Sequence, residues 1–263
     1  MTIFQGIILG IVQGIAEFLP ISSSGHLVVL QRVFGIEEPA LTFDIIVHLG
    51  TLAAILAVFW QDIFALIKKP FSKMTGLLII GTIPVVIVGF FLRDAVEGFL
   101  RGGAWLAAAF AVTGVLLVVA DKFTKGHKED KDITYVDALI IGITQALALP
   151  PGISRSGTTI TGALARGLNR ESAAKFSFML AIIAIAGAGV LEVFLTVTGD
   201  GITDSVGVMP MIVGFIASAV VGYFSVKLLL KLIKACKLRY FSYYLWVLAA
   251  LIFADFWFIN RFF

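Results

Sequence analysis

Glu17, Ser23, His26 and Arg155 are the residues of this 263-residue chain that could do chemistry, because each stands in a stretch otherwise nearly free of ionisable groups. Gln13 and Glu17 are four apart, so on a helix they share one face. A carboxylate inside an apolar segment is expensive and normally faces a cavity; simple solvation at a membrane interface is the bland alternative. His26 follows Ser23 by three residues, within helical reach. A lone histidine more often only finishes a helix end, but beside Ser and Glu it can move protons near neutral pH. Arg155 lies between Ser154 and Ser156, and its planar fork suits phosphate oxygens. Its structural alternative is a permanent ion pair with Glu17. A hydroxyl, a base and a phosphate clamp together are more than binding alone requires.

These residues sit in two related segments. Leu19-Pro20-Ile21-Ser22-Ser23-Ser24-Gly25-His26 interrupts the apolar stretch Thr2 to Phe34, and Pro150-Pro151-Gly152-Ile153-Ser154-Arg155-Ser156-Gly157 interrupts Thr134 to Leu168. A shift of 132 residues aligns them without a gap, with 8 identities in a window of 16: Gly10, Ile11, Gln13, Ala16, Ile21, Ser22, Ser24 and Gly25 recur as Gly142, Ile143, Gln145, Ala148, Ile153, Ser154, Ser156 and Gly157. Fixed-period self-similarity is a repeat signal. Each break ends in Ser-x-Ser-Gly and opens a helical run. Free N–H groups and the positive end of the helix dipole there favour an anion, so Ser22, Ser24, Gly25, Ser154, Ser156, Gly157 and Thr158 are expected to bind phosphate. The competing expectation is that the serines cap helices and the glycines serve turns.

The elements that must position these groups lie in a membrane. Residues of the AVILMFWYC set make up 59% of the chain and charged residues 14%, against about 25% charged in a soluble domain, and mean hydropathy is +1.02. That excludes a soluble enzyme, a disordered tail and a disulfide scaffold. Cys236 has no partner cysteine in the chain, nothing in the pattern suggests nucleic-acid binding, and no cleavable targeting segment is expected, since the first basic residue is Arg32. Spans of the required length, about 17 to 25 residues, are expected over 43–67, 74–92, 102–120, 176–197, 205–226 and 240–258. Irregular backbone at membrane depth needs protein or a water-filled cavity around it, so the two broken stretches are predicted to be re-entrant helix pairs.

The fold class expected is therefore an all-α polytopic membrane protein in a single membrane domain. Its halves, 1–131 and 132–263, would each hold a re-entrant pair and three crossings. An odd number of crossings inverts the second half, which is the architecture that places sites near the bilayer midplane. Basic residues divide unevenly under this topology: Arg32, Arg93, Arg101 and Arg261 fall on one side, and all the others except Arg155 on the opposite one. By the positive-inside rule both termini are expected outside. Gly6, Gly10 and Gly14, matched by Ala138, Gly142 and Ala146, suggest close helix packing and permit a homodimer. Asp44 and His48 read as a helix-start carboxylate with a hydrogen-bonded histidine, Lys122 to Asp132 as a solvated loop, and Trp60, Trp105, Trp246 and Trp257 as interface anchors.

Gln13-Gly-Ile-Ala-Glu17-Phe-Leu-Pro-Ile-Ser-Ser-Ser-Gly-His26 resembles the E/Q-x-x-x-E plus P-x-S-S-x-G-H signature of bacterial undecaprenyl pyrophosphate phosphatases of the bacitracin-resistance type. Pro151-Gly-Ile-Ser-Arg155-Ser-Gly157 resembles their P-G-x-S-R-S-G signature, and the similarity runs the whole chain, including Phe176-Ser-Phe-Met-Leu-Ala181. The resemblance implies removal of one phosphate from a prenyl diphosphate lipid, undecaprenyl diphosphate, among the lipids of a bacterial inner membrane, with recycling of the cell-wall lipid carrier and bacitracin resistance. It implies a divalent metal, Mg or Ca, at Gln13 and Glu17, and a site open to the outer face. Ser23 matches the proposed nucleophile, His26 the family histidine and Arg155 the family arginine. Gln13 stands where many members have Glu, one carboxylate fewer. Ile183 stands where many carry Pro, so the kink that proline would give is expected to be missing. Either His26 or Glu17 could take the proton from Ser23, and water could attack directly with Ser23 only binding phosphate. The competing class is an inverted-repeat transporter or flippase for an anionic lipid.

Overall fold

The computed structural model describes residues 1–36, 40–99, 102–123, 125–198, 206–235 and 237–263, without the side chains of 92–99, 192–193, 195–198 and 234–235. Arg101, Cys236 and Ser205, and the side chains of Arg93 and Lys234, lie outside the described residues. Among the described residues the fold is α-helical, with a single isolated bridge between Lys128 and Leu168. Two short helices come first, α1 (Ile3–Ala16) and α2 (Ser23–Val33), followed by α3 (Leu41–Val58), α4 (Trp60–Lys68), α5 (Lys73–Phe99) and α6 (Gly103–Ala120). The order then recurs with α7 (Tyr135–Ala146), α8 (Arg155–Ala165), α9 (Arg170–Thr198), α10 (Val208–Ala235) and α11 (Arg239–Ala254).

Six of these segments are long and apolar enough to cross a membrane: Leu41–Val58, Lys73–Phe91, Gly103–Phe123, Arg170–Leu191, Val208–Ile233 and Arg239–Ile259. The expected span over 43–67 is shorter than its apolar run. Eighteen residues of α3 already rise about 27 Å, and the chain then breaks at Phe59 into amphipathic α4, which has no buried residue and exposes Trp60, Phe64 and Ile67. Helix α9 is continuous past Ile183, as the absence of proline there leads one to expect.

Short helices α1 and α7 are built alike. Thr2 caps α1 and Thr134 caps α7, each in a reciprocal capping box with Gln5 and Asp137 respectively. Those same two side chains reach the end of the next helix: Gln5 Nε2 donates to the Phe34 carbonyl at 3.4 Å, and Asp137 accepts from Arg166 Nε at 2.8 Å. In both pairs, then, the start of the first helix lies beside the end of the second. α1 packs on α10 and α3, α7 on α5, and α6 on α11.

Lipid tails are as apolar as leucine, so these contacts depend on close packing rather than on exclusion of water. Glycines supply the closeness. A Cβ on Gly6 would stand 3.0 Å from Pro210 Cα, one on Gly10 2.9 Å from Gly214 Cα, and one on Gly142 3.0 Å from Gly81 Cα. The stripe on α1 is thus covered by α10 within the chain and is not free to serve a homodimer. Phe18, Phe110, Phe176 and Phe178 fill the interior, with Phe18 set edge-on to Phe178. Trp105 and Trp246 donate their indole N–H groups to the carbonyls of Pro151 and Ala111.

Charged groups gather at one end. Asp137, fully buried, binds Lys128 and Arg166; Asp121 binds Arg170 and Arg239; Lys175 joins Asp62 and Asp130. The segment from Lys122 to Asp132 is consequently tied down by ion pairs and by Lys73 Nζ, which donates to the Lys131 carbonyl; it is not merely solvated. At the other end Arg32 lies over the ring of Phe263.

Candidate active site

Both breaks arise because Pro and Gly end the short helices. Pro20 has no N–H to continue α1, and Ser22 turns the chain at φ 70°; in the second break Gly152 does so at φ 92°. Serines then cap the helices that follow. Ser22 Oγ accepts from the Gly25 amide at 3.4 Å, and Ser154 Oγ from the Gly157 amide at 3.1 Å. The N-cap reading of these serines is borne out. Ser23 and Arg155 are then the first residues of α2 and α8, matching positions of the two repeats.

The breaks touch. Ser156 Oγ donates to the Leu19 carbonyl at 3.1 Å, and a Cβ on Gly25 would stand 3.0 Å from Gly152 Cα. Helix α6 braces the second break: Thr113 Oγ1 donates to the Gly152 carbonyl and accepts from the Ser154 amide, both at 3.2 Å.

Glu17 is the hub. Its side chain is 5% exposed, and Arg155 Nη2 donates to Oε1 at 2.6 Å. Oε2 accepts from Ser23 Oγ at 2.5 Å and from Gln13 Nε2 at 3.1 Å. Gln13, Glu17, Ser23 and Arg155 are therefore brought together as the sequence led one to expect. Two buried atoms here have no partner among the described residues, Gln13 Oε1 and Arg155 Nη1. An orphaned buried polar atom is costly, and these two have opposite tastes. The amide oxygen calls for a cation or a donor, and the guanidinium N–H for an anion.

His26 does not join Ser23. Its Nδ1 donates to the Ser22 carbonyl at 2.7 Å, and its Nε2 is 2.7 Å from Tyr244 Oη. Both ring nitrogens are engaged elsewhere, so of the two bases expected for Ser23 only Glu17 is in contact. His48, passed over in the sequence as a partner of the Asp44 carboxylate, is a site residue. Its Nδ1 donates to the main-chain oxygen of Asp44 at 2.6 Å, and its Nε2 lies 3.5 Å from Glu17 Oε2. An imidazole in the middle of an apolar span was the signal that could have found it. Tyr244, 218 residues from His26, has no such signal.

Among the residues expected to bind phosphate, several hydroxyls are already bonded within the protein. Ser154 and Ser156 bond each other at 3.2 Å, and Thr158 Oγ1 donates to the Arg155 carbonyl at 2.9 Å. Ser22 and Ser24 are 3.4 Å apart.

As for a metal, the described residues contain no group of three or more His, Cys, Asp or Glu able to hold one. The two hard oxygen donors at Gln13 and Glu17, one of them an orphaned buried carbonyl, do fit Mg²⁺ or Ca²⁺ taking its remaining ligands from water and phosphate oxygens, as Mg²⁺ usually does.

A family described as "Bacitracin resistance protein BacA" matches residues 6–251. The chain is 48% identical to an undecaprenyl-diphosphatase of Carboxydothermus hydrogenoformans over 96% of its own length and 97% of that protein. It is 43% identical to one of Methanosphaera stadtmanae, over 93% and 94%, and 44% identical to undecaprenyl-diphosphatase 4 of Bacillus cereus, over 96% of each. A match spanning both breaks, five of the six long apolar helices and the greater part of the sixth leaves one conclusion: the chain belongs to the BacA family of bacitracin resistance proteins.

Proposed function

We propose that this chain is a multi-pass membrane phosphatase that hydrolyses undecaprenyl diphosphate to undecaprenyl phosphate and inorganic phosphate. That reaction recycles the lipid carrier for cell-wall synthesis and accounts for bacitracin resistance. One observation carries the reading at the level of the site: a hydroxyl and a half-free guanidinium, Ser23 and Arg155, converge on the same buried carboxylate.

Ser23 Oγ attacks the terminal phosphorus and its proton passes to Glu17 Oε2. The bond from that phosphorus to the bridging oxygen breaks as Glu17 passes that proton on to the departing oxygen, releasing undecaprenyl phosphate and leaving phosphoserine. Water then attacks the phosphoserine, gives a proton to the regenerated Glu17 carboxylate, and inorganic phosphate leaves as Glu17 relays that proton to Ser23 Oγ. Arg155 holds a non-bridging oxygen through Nη1, and the first-turn amides of α2 and α8 not taken by the serine caps add donors where charge develops. Gln13 and Glu17 would hold the divalent metal, which when bound neutralises charge on the diphosphate. His26 supports the first break rather than taking the proton. A transporter would leave the close Ser23 to Glu17 contact without a task.

The halves 1–131 and 132–263 form an inverted repeat in this reading, in a bacterial-type inner membrane, with both termini outside. Support comes from the matched capping boxes and from the contacts that join the start of α1 to the end of α2 and the start of α7 to the end of α8. At 14 and 12 residues, α1 and α7 rise only about 20 Å, too little to cross about 30 Å of hydrocarbon. In this reading the end that carries the ion pairs of Lys128, Arg166, Arg170, Lys175 and Arg239 is the cytoplasmic one, by the positive-inside rule.

The test is phosphate release from undecaprenyl diphosphate by purified protein, beside Ser23→Ala. Wild-type turnover, a phosphoserine trapped on acid quench and an inactive variant are expected. Full turnover by Ser23→Ala would shift the attack to water, with Ser23 only binding phosphate.

A further inference from the structure

The nucleophile's backbone is held in an unusual shape, and the group that holds it is braced from the far end of the chain. Ser22, immediately before Ser23, has φ 70° and ψ 97°, a conformation non-glycine residues rarely adopt without support from their surroundings. Its carbonyl accepts twice from one residue, from the His26 amide at 3.2 Å and from His26 Nδ1 at 2.7 Å. A carbonyl only accepts, so Nδ1 carries the hydrogen, and in the neutral ring Nε2 is the acceptor. The phenol of Tyr244, on α11, then donates to Nε2 at 2.7 Å. The two rings also stack, with centroids 5.6 Å apart and planes 12° from parallel. Phe110 closes the other side edge-on at 5.2 Å. The Tyr244 hydroxyl makes no other hydrogen bond among the described residues, and its side chain is half exposed, so the contact to His26 accounts for its placement.

We propose that Tyr244 is a positioning residue for the phosphatase reaction. Its hydroxyl keeps His26 turned with Nδ1–H on the Ser22 carbonyl, which fixes the bend at Ser22 and thereby sets the Ser23 hydroxyl against Glu17. This rests on the reading of Ser23 as the nucleophile, and it gives His26 a mechanical task through which the last helix governs the first break. A hydrogen bond that fixes tautomer and ring orientation is the usual way a second residue tunes a histidine.

Tyr244→Phe removes the hydroxyl and keeps the stacked ring. With undecaprenyl diphosphate as substrate, kcat is expected to fall about tenfold with KM changed less than about twofold, on the scale of a lost supporting partner. In a His26→Asn background, where the amide still donates to the Ser22 carbonyl but offers nothing in place of Nε2, adding Tyr244→Phe should change kcat less than about twofold, because residues acting as one unit are non-additive. Tyr244→Gln, which restores a donor, should be more active than Tyr244→Phe. Unchanged kcat in Tyr244→Phe overturns the proposal. So does a rise in KM alone, which would put Tyr244 on the substrate, and so does an equal loss in both backgrounds. Thermal midpoints are followed throughout; if Tyr244→Phe does not fold, the Tyr244→Gln and His26→Asn pair carries the same comparison, and equal activity of Tyr244→Gln with or without His26 would refute the coupling. Ser23→Ala, run alongside, separates the two claims. Its full turnover overturns the nucleophile reading, whereas an inactive Ser23→Ala beside a fully active Tyr244→Phe overturns the positioning alone.

Discussion

Neutralising Arg155 and Glu17 separately and together distinguishes a clamp from a strut. Arg155→Met leaves the Glu17 carboxylate, 5% exposed, with only Gln13, Ser23 and His48 around it. Removing one partner of a buried pair costs about 3–5 kcal/mol, whereas replacing both by neutral groups is often near neutral. Because the Arg155 side chain is 17% exposed, the lower part of that range applies, about 3 kcal/mol. At about 2–4 °C per kcal/mol for a chain of this size, the single variant should melt about 6–12 °C lower. Adding Glu17→Gln should bring the midpoint back to within about 3 °C of wild type, since the amide keeps hydrogen-bonding partners and no charge remains unpaired. Turnover should not follow. Loss of a preorganised donor to a developing oxyanion costs about 10²–10³ in rate, and the double variant also lacks the base, so it should stay at least about 10²-fold below wild type. The assay pairs phosphate release from undecaprenyl diphosphate with thermal unfolding of the same detergent-solubilised preparation. Near wild-type turnover in the stable double variant would refute the reasoning, and would make the pair a link between the halves and nothing more.

His48→Leu should lower kcat about tenfold without loss of fold. A hydrogen bond to a charged group is worth about 1.5–3 kcal/mol; the 3.5 Å approach of His48 Nε2 to Glu17 Oε2 is a longer electrostatic contact and takes no more than the low end of that range, and about 1.4 kcal/mol is a decade in rate; unchanged kcat would remove His48 from the site. Chelation by EDTA should stop phosphate release, and Gln13→Leu should raise the Mg²⁺ concentration for half-maximal rate about tenfold. An unshifted Mg²⁺ titration would take Gln13 out of the ligand set. Asp137→Leu should leave kcat unchanged but lower the melting midpoint by about 5 °C, because its buried carboxylate ties Lys128 and Arg166, which can rehydrate in part once it is gone; a loss of turnover at constant stability would contradict this.

Much of the site was legible because charge is scarce in this sequence. Glu17 and Arg155 stood out by their cost, and the 132-residue repeat said that their segments were related. Spans were legible from apolar runs, except that a run does not mark where a helix turns at Phe59 to lie amphipathically. What stayed hidden was the aim of side chains whose types were obvious. His26 is three residues from Ser23 on a helix, yet its ring is claimed by the Ser22 carbonyl and by Tyr244. His48 was readable as a local partner of Asp44 because spacing reports neighbours along a helix and says nothing of a carboxylate on another. Capping by Ser22 and Ser154 was legible as an alternative to phosphate binding, and the two are compatible, since a cap takes one first-turn amide and leaves others.

The contact between Arg155 and Glu17 has a further consequence for the catalytic cycle. The carboxylate occupies Nη2 of the guanidinium and leaves Nη1 open, so in the proposed reaction a phosphate oxygen binds beside the carboxylate, and no naked cation waits in the apolar interior between turnovers or is exposed when inorganic phosphate departs. The same guanidinium without its carboxylate would carry an uncompensated charge, hold phosphate more tightly and release it more slowly. Weak product retention is thus built into the resting site, which suits an enzyme whose lipid product must return to the membrane.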